Sequence, residues 1–191
     1  MSKIINFIWI VSKVALLTTI LTILAQPVHS ITIKEQIQLS QNTENICISY
    51  NRPCRVIFFQ SDRIQGYTAR NGTINISSGL SDLLNYNEVE AVIMHELGHH
   101  ILDHYSKTDY FIDHWDLTQG TIKKFRHRME TEADLFATSY FILNHKQNYL
   151  PSALVKITKD INLTSNSHPS SAKRIQIIQE FTKNERTRIN L

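Results

Sequence analysis

Two histidines stand four residues apart with a glutamate beside the first, in His95-Glu96-Leu97-Gly98-His99. On a helix, positions i and i+4 lie one above the other on a single face. His95 and His99 can then grip one ion. Glu96, about 100° round the same helix, can reach a water beside that ion. Zinc suits this donor set, because it accepts imidazole nitrogen and in reactive sites leaves one position to water. It draws the pKa of water toward neutrality, and a nearby carboxylate removes the proton. The pattern alone also describes a surface helix with two chance histidines, so the rest of the chain must supply a third ligand.

Carboxylates follow in Met129-Glu130-Thr131-Glu132-Ala133-Asp134. They fall inside a second helical pattern, about Thr121 to Asn144, with Leu135, Phe136, Tyr140, Phe141 and Ile142 on its apolar side. Glu130 and Asp134 are i and i+4 and share a face, while Glu132 points away from it. Glu130 can complete the metal site, and Asp134 can accept the free ring N–H of a ligand histidine and so fix its tautomer. Taken alone, Glu130 is more often a solvated helix acid. Further on, His168-Pro169 opens another helical pattern, since proline suits a first turn. His168 would sit at that helix N-terminus, a place suited to anionic groups, and Arg174 lies about one and a half turns on. The plain readings are a loop histidine and a surface cation.

The elements that must position these groups are legible in outline. The first helix runs from about Glu88 to Tyr105, with Asn87 as N-cap, acids in its first turn and a buried stripe of Val89, Val92, Ile93, Leu97 and Ile101. Gly98 costs about 1 kcal/mol inside a helix, and a close backbone neighbour would explain it. Ile31 to Leu39 fits a helix or an extended arm. Ile46 to Tyr50 and Arg55 to Gln60 read as strands with a turn between. Gly66 to Ala69 is a break or short strand, Asn71-Gly72 a hairpin turn, and Thr73 to Ser77 a half-buried strand. A short helix begins near Ser81. Asp103 to Arg126 is a loop or short helix flanking a cleft. Pro151 opens a helix to about Ile161, and Ser170 to Phe181 forms the last.

Composition is that of a globular domain, with 42% hydrophobic and 19% charged residues in a chain of 191. Met1 to Ser30 reads as an export signal: it holds Lys3 and Lys13, no acid, and an apolar run from Val14 to Ala25. Cleavage after Ser30 or Ala25 is expected. The competing reading is an uncleaved anchor over residues 4–25, which would tie the protein to a membrane. Either way, residues 31–191 form the exported domain, periplasmic or secreted. Without Lys3 and Lys13 there are 18 basic residues against 17 acidic, a balance of +1, which argues against a nucleic-acid partner. Cys47 and Cys54 are either a disulfide of the oxidising compartment or two small buried apolar residues.

The series resembles the gluzincin metallopeptidases that include the HtpX-type heat-shock, CAAX prenyl and BepA-type periplasmic proteases. The resemblance runs from about Gly66 to Ile178. It covers the glycine-bracketed strand Gly72 to Gly79, His-Glu-Leu-Gly-His at 95–99, Glu-x-x-Ala-Asp at 130–134, and His168-Pro169 with Arg174. It implies one zinc ion held by His95, His99 and Glu130, with Glu96 as general base and Asp134 supporting a ligand. It implies that His168 and Arg174 face the substrate carbonyl and stabilise its oxyanion, and that the Thr73–Ser77 strand offers an edge to an extended polypeptide substrate. His100, His104, His114 and His127 match no ligand position and are read as ordinary. No second long apolar pair and no helical repeat after Phe181 is found, so a minimal member is expected.

The expected fold is therefore α+β, a zincin-like metalloprotease domain, helix-rich with a small mixed sheet beside the zinc helix. The expected function is a zinc metalloendopeptidase. The alternative is a non-catalytic or latent chaperone or assembly factor that holds extended segments in the same cleft. A weaker third is a structural zinc protein in which His168 closes the fourth position.

Overall fold

The computed structural model describes residues 30–160 and 168–189. The signal or anchor expected over residues 1–30 lies, but for Ser30, outside them. Among the described residues no helix is long and apolar enough to cross a membrane.

Helix α1 spans Ile33–Ser49. Thr32 caps it, with the Glu35 carboxylate reaching back to the Thr32 backbone N–H, a reciprocal pair that satisfies two otherwise orphaned donors. Its buried face is Leu39, Thr43 and Cys47. The strand expected at Ile46 to Tyr50 is thus the end of this helix. The disulfide reading of the cysteines holds: Cys47 is bonded to Cys54 with Cα atoms 5.8 Å apart, joining the helix end to the approach of the first strand.

Strands β1 (Arg55–Phe59), β2 (Gly66–Thr68) and β3 (Thr73–Ser77) form a mixed sheet in the order β1-β3-β2. β3 is parallel to β1 and antiparallel to β2. Gly72 makes the β2–β3 turn at φ +80°, where a Cβ would also meet the Pro53 carbonyl at 2.7 Å. β3 is central and paired on both sides, so it does not offer the free edge expected of it. The free edge beside the helix that carries His95 and His99 is β2. Gln65 and Ala69 direct their backbone groups at β3, through Ser77 N–H to Gln65 O and Ala69 N–H to Thr73 O. By alternation, those of Gly66 and Thr68 face outward.

Helix α2 (Ser78–Leu83) leads to α3 (Tyr86–Ile101), whose N-cap is Asn85 in a capping box with Glu88. α3 is buried on nearly every side: Val89, Ala91, Ile93 and Leu97 are inaccessible. It packs mainly against α5 (Gln119–Leu143) and also contacts α6 (Leu150–Asp160) and β2. Glu88 and Glu90 at its start are buried but paired, with Lys156 Nζ at 2.7 Å and Lys146 Nζ at 2.6 Å. The segment expected as a loop or short helix holds α4 (His104–His114) and, from Gln119, the start of α5. The last helix, α7 (Ser171–Ile189), packs on α5 and α6. The result is a helix-rich α+β domain with the sheet beside α3.

Candidate metal centre

α3 and α5 cross at Gly98. A Cβ there would lie 3.1 Å from Ala133 Cα and 3.2 Å from both Ala133 O and Phe136 Cβ. The close backbone neighbour expected for this glycine is α5, one turn from Glu130. This contact brings ligands from two helices to one point. His95 Nε2 and His99 Nε2 are 3.3 Å apart. His95 Nε2 is 3.5 Å from Glu130 Oε2, and His99 Nε2 is 3.5 Å from Glu130 Oε1. These three residues form a group able to hold a metal ion.

The spacing fits one. A tetrahedral ion with bonds of about 2.0–2.1 Å needs donor atoms roughly 3.4 Å apart. The chemistry fits as well, because the Nε2 atoms of two imidazoles and a carboxylate converge on one point. Glu130 Oε2 is buried and accepts no aligned hydrogen bond, although His168 Nδ1 lies 2.8 Å away. A buried acceptor without a donor is costly, and a cation would satisfy it.

Behind the ligands, His95 Nδ1 meets Asp134 Oδ1 at 2.9 Å. Arg174 clamps that carboxylate with two bonds, Nε to Oδ2 at 2.8 Å and NH2 to Oδ1 at 2.6 Å. Arg174 was expected on the substrate carbonyl. It is instead buried, with NH1 3.7 Å from Glu130 Oε2, and its guanidinium is spent on Asp134. His168 is half-exposed beside Glu130.

Glu96 lies on α3 next to the ligands. The Thr68 hydroxyl is 2.7 Å from Glu96 O and 3.1 Å from Glu96 Oε2, tying the residue to β2. α4 touches the same strand and the turn after it: the Tyr105 hydroxyl donates to Thr68 O, and Arg70 pairs with both Asp109 oxygens.

The electrostatics divide the two histidines. Burial would lower His95, but the carboxylates of Asp134 and Glu130 beside it outweigh that and push it up to about 10. Burial and the adjacent His95 push His99 down to about 3. Burial works against ionisation of Glu130, yet His168 and His95 hold it far below the usual carboxylate range. Burial raises Glu96, the direction that suits a proton acceptor working near neutrality.

Sequence reasoning passed over His104, Glu132, Thr68 and Tyr105. His104 Nδ1 is 2.9 Å from His99 Nδ1, and its Nε2 is 3.2 Å from Glu132 Oε2. Glu132 does point away from the ligand face of α5, as expected, but toward His104. The signal was the third histidine of His95, His99 and His104, which only a break in the helix could fold back.

The model of peptidase family M48 matches residues 33–112 and 106–182. Both helices of the metal centre fall within that span, and the chain belongs to this family. Two relatives from Escherichia coli (strain K12) are similar to it. Metalloprotease YcaL is 29% identical over 155 residues, covering 65% of this chain and 60% of its own length. Metalloprotease LoiP is 39% identical over 56 residues, covering 29% of this chain and 22% of its own. The chain thus spans less than two-thirds of either relative.

Proposed function

We propose that this protein is an exported zinc metalloendopeptidase. The observation that carries the reading is the convergence of His95, His99 and Glu130 at tetrahedral spacing, with Glu96 alongside. Zinc, when bound, polarises the scissile carbonyl and makes water a better acid. Glu96 takes the proton of the attacking water and returns it to the leaving nitrogen. Thr68 keeps its carboxylate aimed from the β2 side. Asp134, held by Arg174, fixes the tautomer of His95. His168, half-exposed beside Glu130, is the group available to a developing oxyanion. An extended polypeptide would add to the outward-facing groups of Gly66 and Thr68 on β2, antiparallel or parallel as its side chains dictate.

Cleavage of an unfolded polypeptide by the zinc-loaded chain tests this. Glu96→Gln should keep its zinc and lose at least about 100-fold in rate. Equal rates in parent and variant would defeat the enzyme reading.

The latent or chaperone reading keeps one specific observation: Tyr105 occupies Thr68 O on the edge where substrate would pair. Suppression of aggregation that survives Glu96→Gln, with no cleavage by the parent, would favour it. Export is supported by the apolar segment at residues 14–25 and by the Cys47–Cys54 disulfide, which belongs to oxidising compartments. We assign the domain to the periplasm or the exterior, held at the membrane if residues 4–25 are retained. Polypeptide is the partner proposed, and nucleic acid is not.

A further inference from the structure

α3 is capped at Leu102, and the next residue, Asp103, has φ 56° and ψ 43°. That is the left-handed region, rare for a residue with a Cβ. The joint has a consequence five residues back. On an unbroken helix, His104 would stand about 140° round the axis from His99, and their rings could not meet. The left-handed turn starts α4 in a new direction and lays His104 against His99, ring centroids 4.9 Å apart and nearly perpendicular. His104 is 3% exposed. Its far nitrogen faces Glu132, whose other oxygen accepts from Arg128 Nε at 2.8 Å.

We propose that His104, backed by Glu132, is the positioning residue for the metal ligand His99. This rests on the metal-centre reading above. A histidine that ligates through Nε2 must carry its proton on Nδ1. The His99 Nδ1–H then donates to His104 Nδ1, which must be bare. His104 therefore carries its proton on Nε2 and donates it to Glu132. One assignment of tautomers satisfies all three groups; flipping both rings would set a bare His104 Nε2 against the Glu132 carboxylate and leave a proton on the ligand nitrogen of His99. The two ligand histidines are thus held differently: His95 by an ionised carboxylate locked to Arg174, His99 by a neutral imidazole relaying to a carboxylate near the surface.

The test compares His104→Phe, which keeps a ring but offers no acceptor, with His104→Asn, whose amide oxygen can stand near the lost Nδ1. Zinc affinity is measured by chelator competition, and the cobalt-substituted protein gives the absorption bands of the ligand field. Outer hydrogen-bond partners of metal-bound histidine are worth about 10–100-fold in affinity. His104→Phe should lose that much and shift the cobalt bands, and His104→Asn should recover most of both. Glu132→Ala, changed at the surface, should weaken zinc in the same direction by a smaller factor and serves if His104→Phe does not fold. Parent-like affinity and bands in folded His104→Phe, or in Glu132→Ala if that variant alone folds, would overturn the inference. If Glu130→Gln loses zinc in the same assay, the metal centre itself stands. A parent chain that binds no zinc would overturn both.

Discussion

His95 and His99 are chemically alike and placed alike on α3, yet their surroundings set them apart. His95 is pushed up to about 10 by Asp134 and Glu130 against the effect of burial, and His99 is pushed down to about 3. At pH 7 the metal-free pair therefore holds one proton, on the His95 side. A ligand imidazole must be neutral, so that proton has to leave as zinc enters. Zinc affinity should rise about tenfold per pH unit below the upper value, and calorimetry in buffers of different ionisation enthalpy should show about one proton released. Binding heat that does not depend on the buffer would contradict this. Arg174 is a second case. With Asp134 almost inaccessible, Arg174→Leu strands a buried carboxylate. Breaking such a pair costs about 3–5 kcal/mol, readable as a lower urea midpoint. The sequence marked Arg174 as a site residue but could not tell which way the guanidinium turned, because six residues of spacing say nothing about which carboxylate lies within reach.

At the scale of elements, the crossing of α3 and α5 is what makes a site from two helices. Gly98→Val would drive side-chain atoms into the Ala133 backbone, which cannot swing aside as a side-chain tip can. Overpacking of this kind costs about 1–3 kcal/mol. The variant should also bind zinc more weakly than a surface variant of equal stability loss, because Glu130 moves with α5. Much of this was legible: both helices, their shared-face pairs and the need for a close neighbour at Gly98 follow from local periodicity. The misreadings have physical causes. α1 hides its buried face in Thr43 and Cys47, which a search for Leu and Ile overlooks, and so its β-branched end reads as a strand. The capping pair Thr32 and Glu35 was the signal that would have corrected it. The position of β3 within the sheet depends on a parallel pairing with β1 that skips over β2, and no local pattern encodes that.

For the molecule as a whole, the metal centre is set on a scaffold with one covalent tie. The Cys47–Cys54 bridge closes a loop of seven residues' separation, and a loop this short contributes about 2–3 kcal/mol through the unfolded chain. Reductant, or Cys47→Ser with Cys54→Ser, should lower the unfolding midpoint accordingly while leaving zinc bound, since neither cysteine touches the ligands. The membership in peptidase family M48 and the α+β architecture agree with the order of motifs along the chain, which is a global property that four short stretches convey. The sequence does not convey what α4 does at the β2 edge, because Tyr105 and Thr68 meet only after the chain has folded. The central claim is that His95, His99 and Glu130 hold zinc. Its most direct test is the metal content of the purified chain beside its Glu130→Gln variant, measured by elemental analysis after identical dialysis. About one zinc per parent chain, with far less retained by a variant that is still folded, is the predicted result. Equal zinc in both would remove Glu130 from the site, and none in a folded parent would contradict the account.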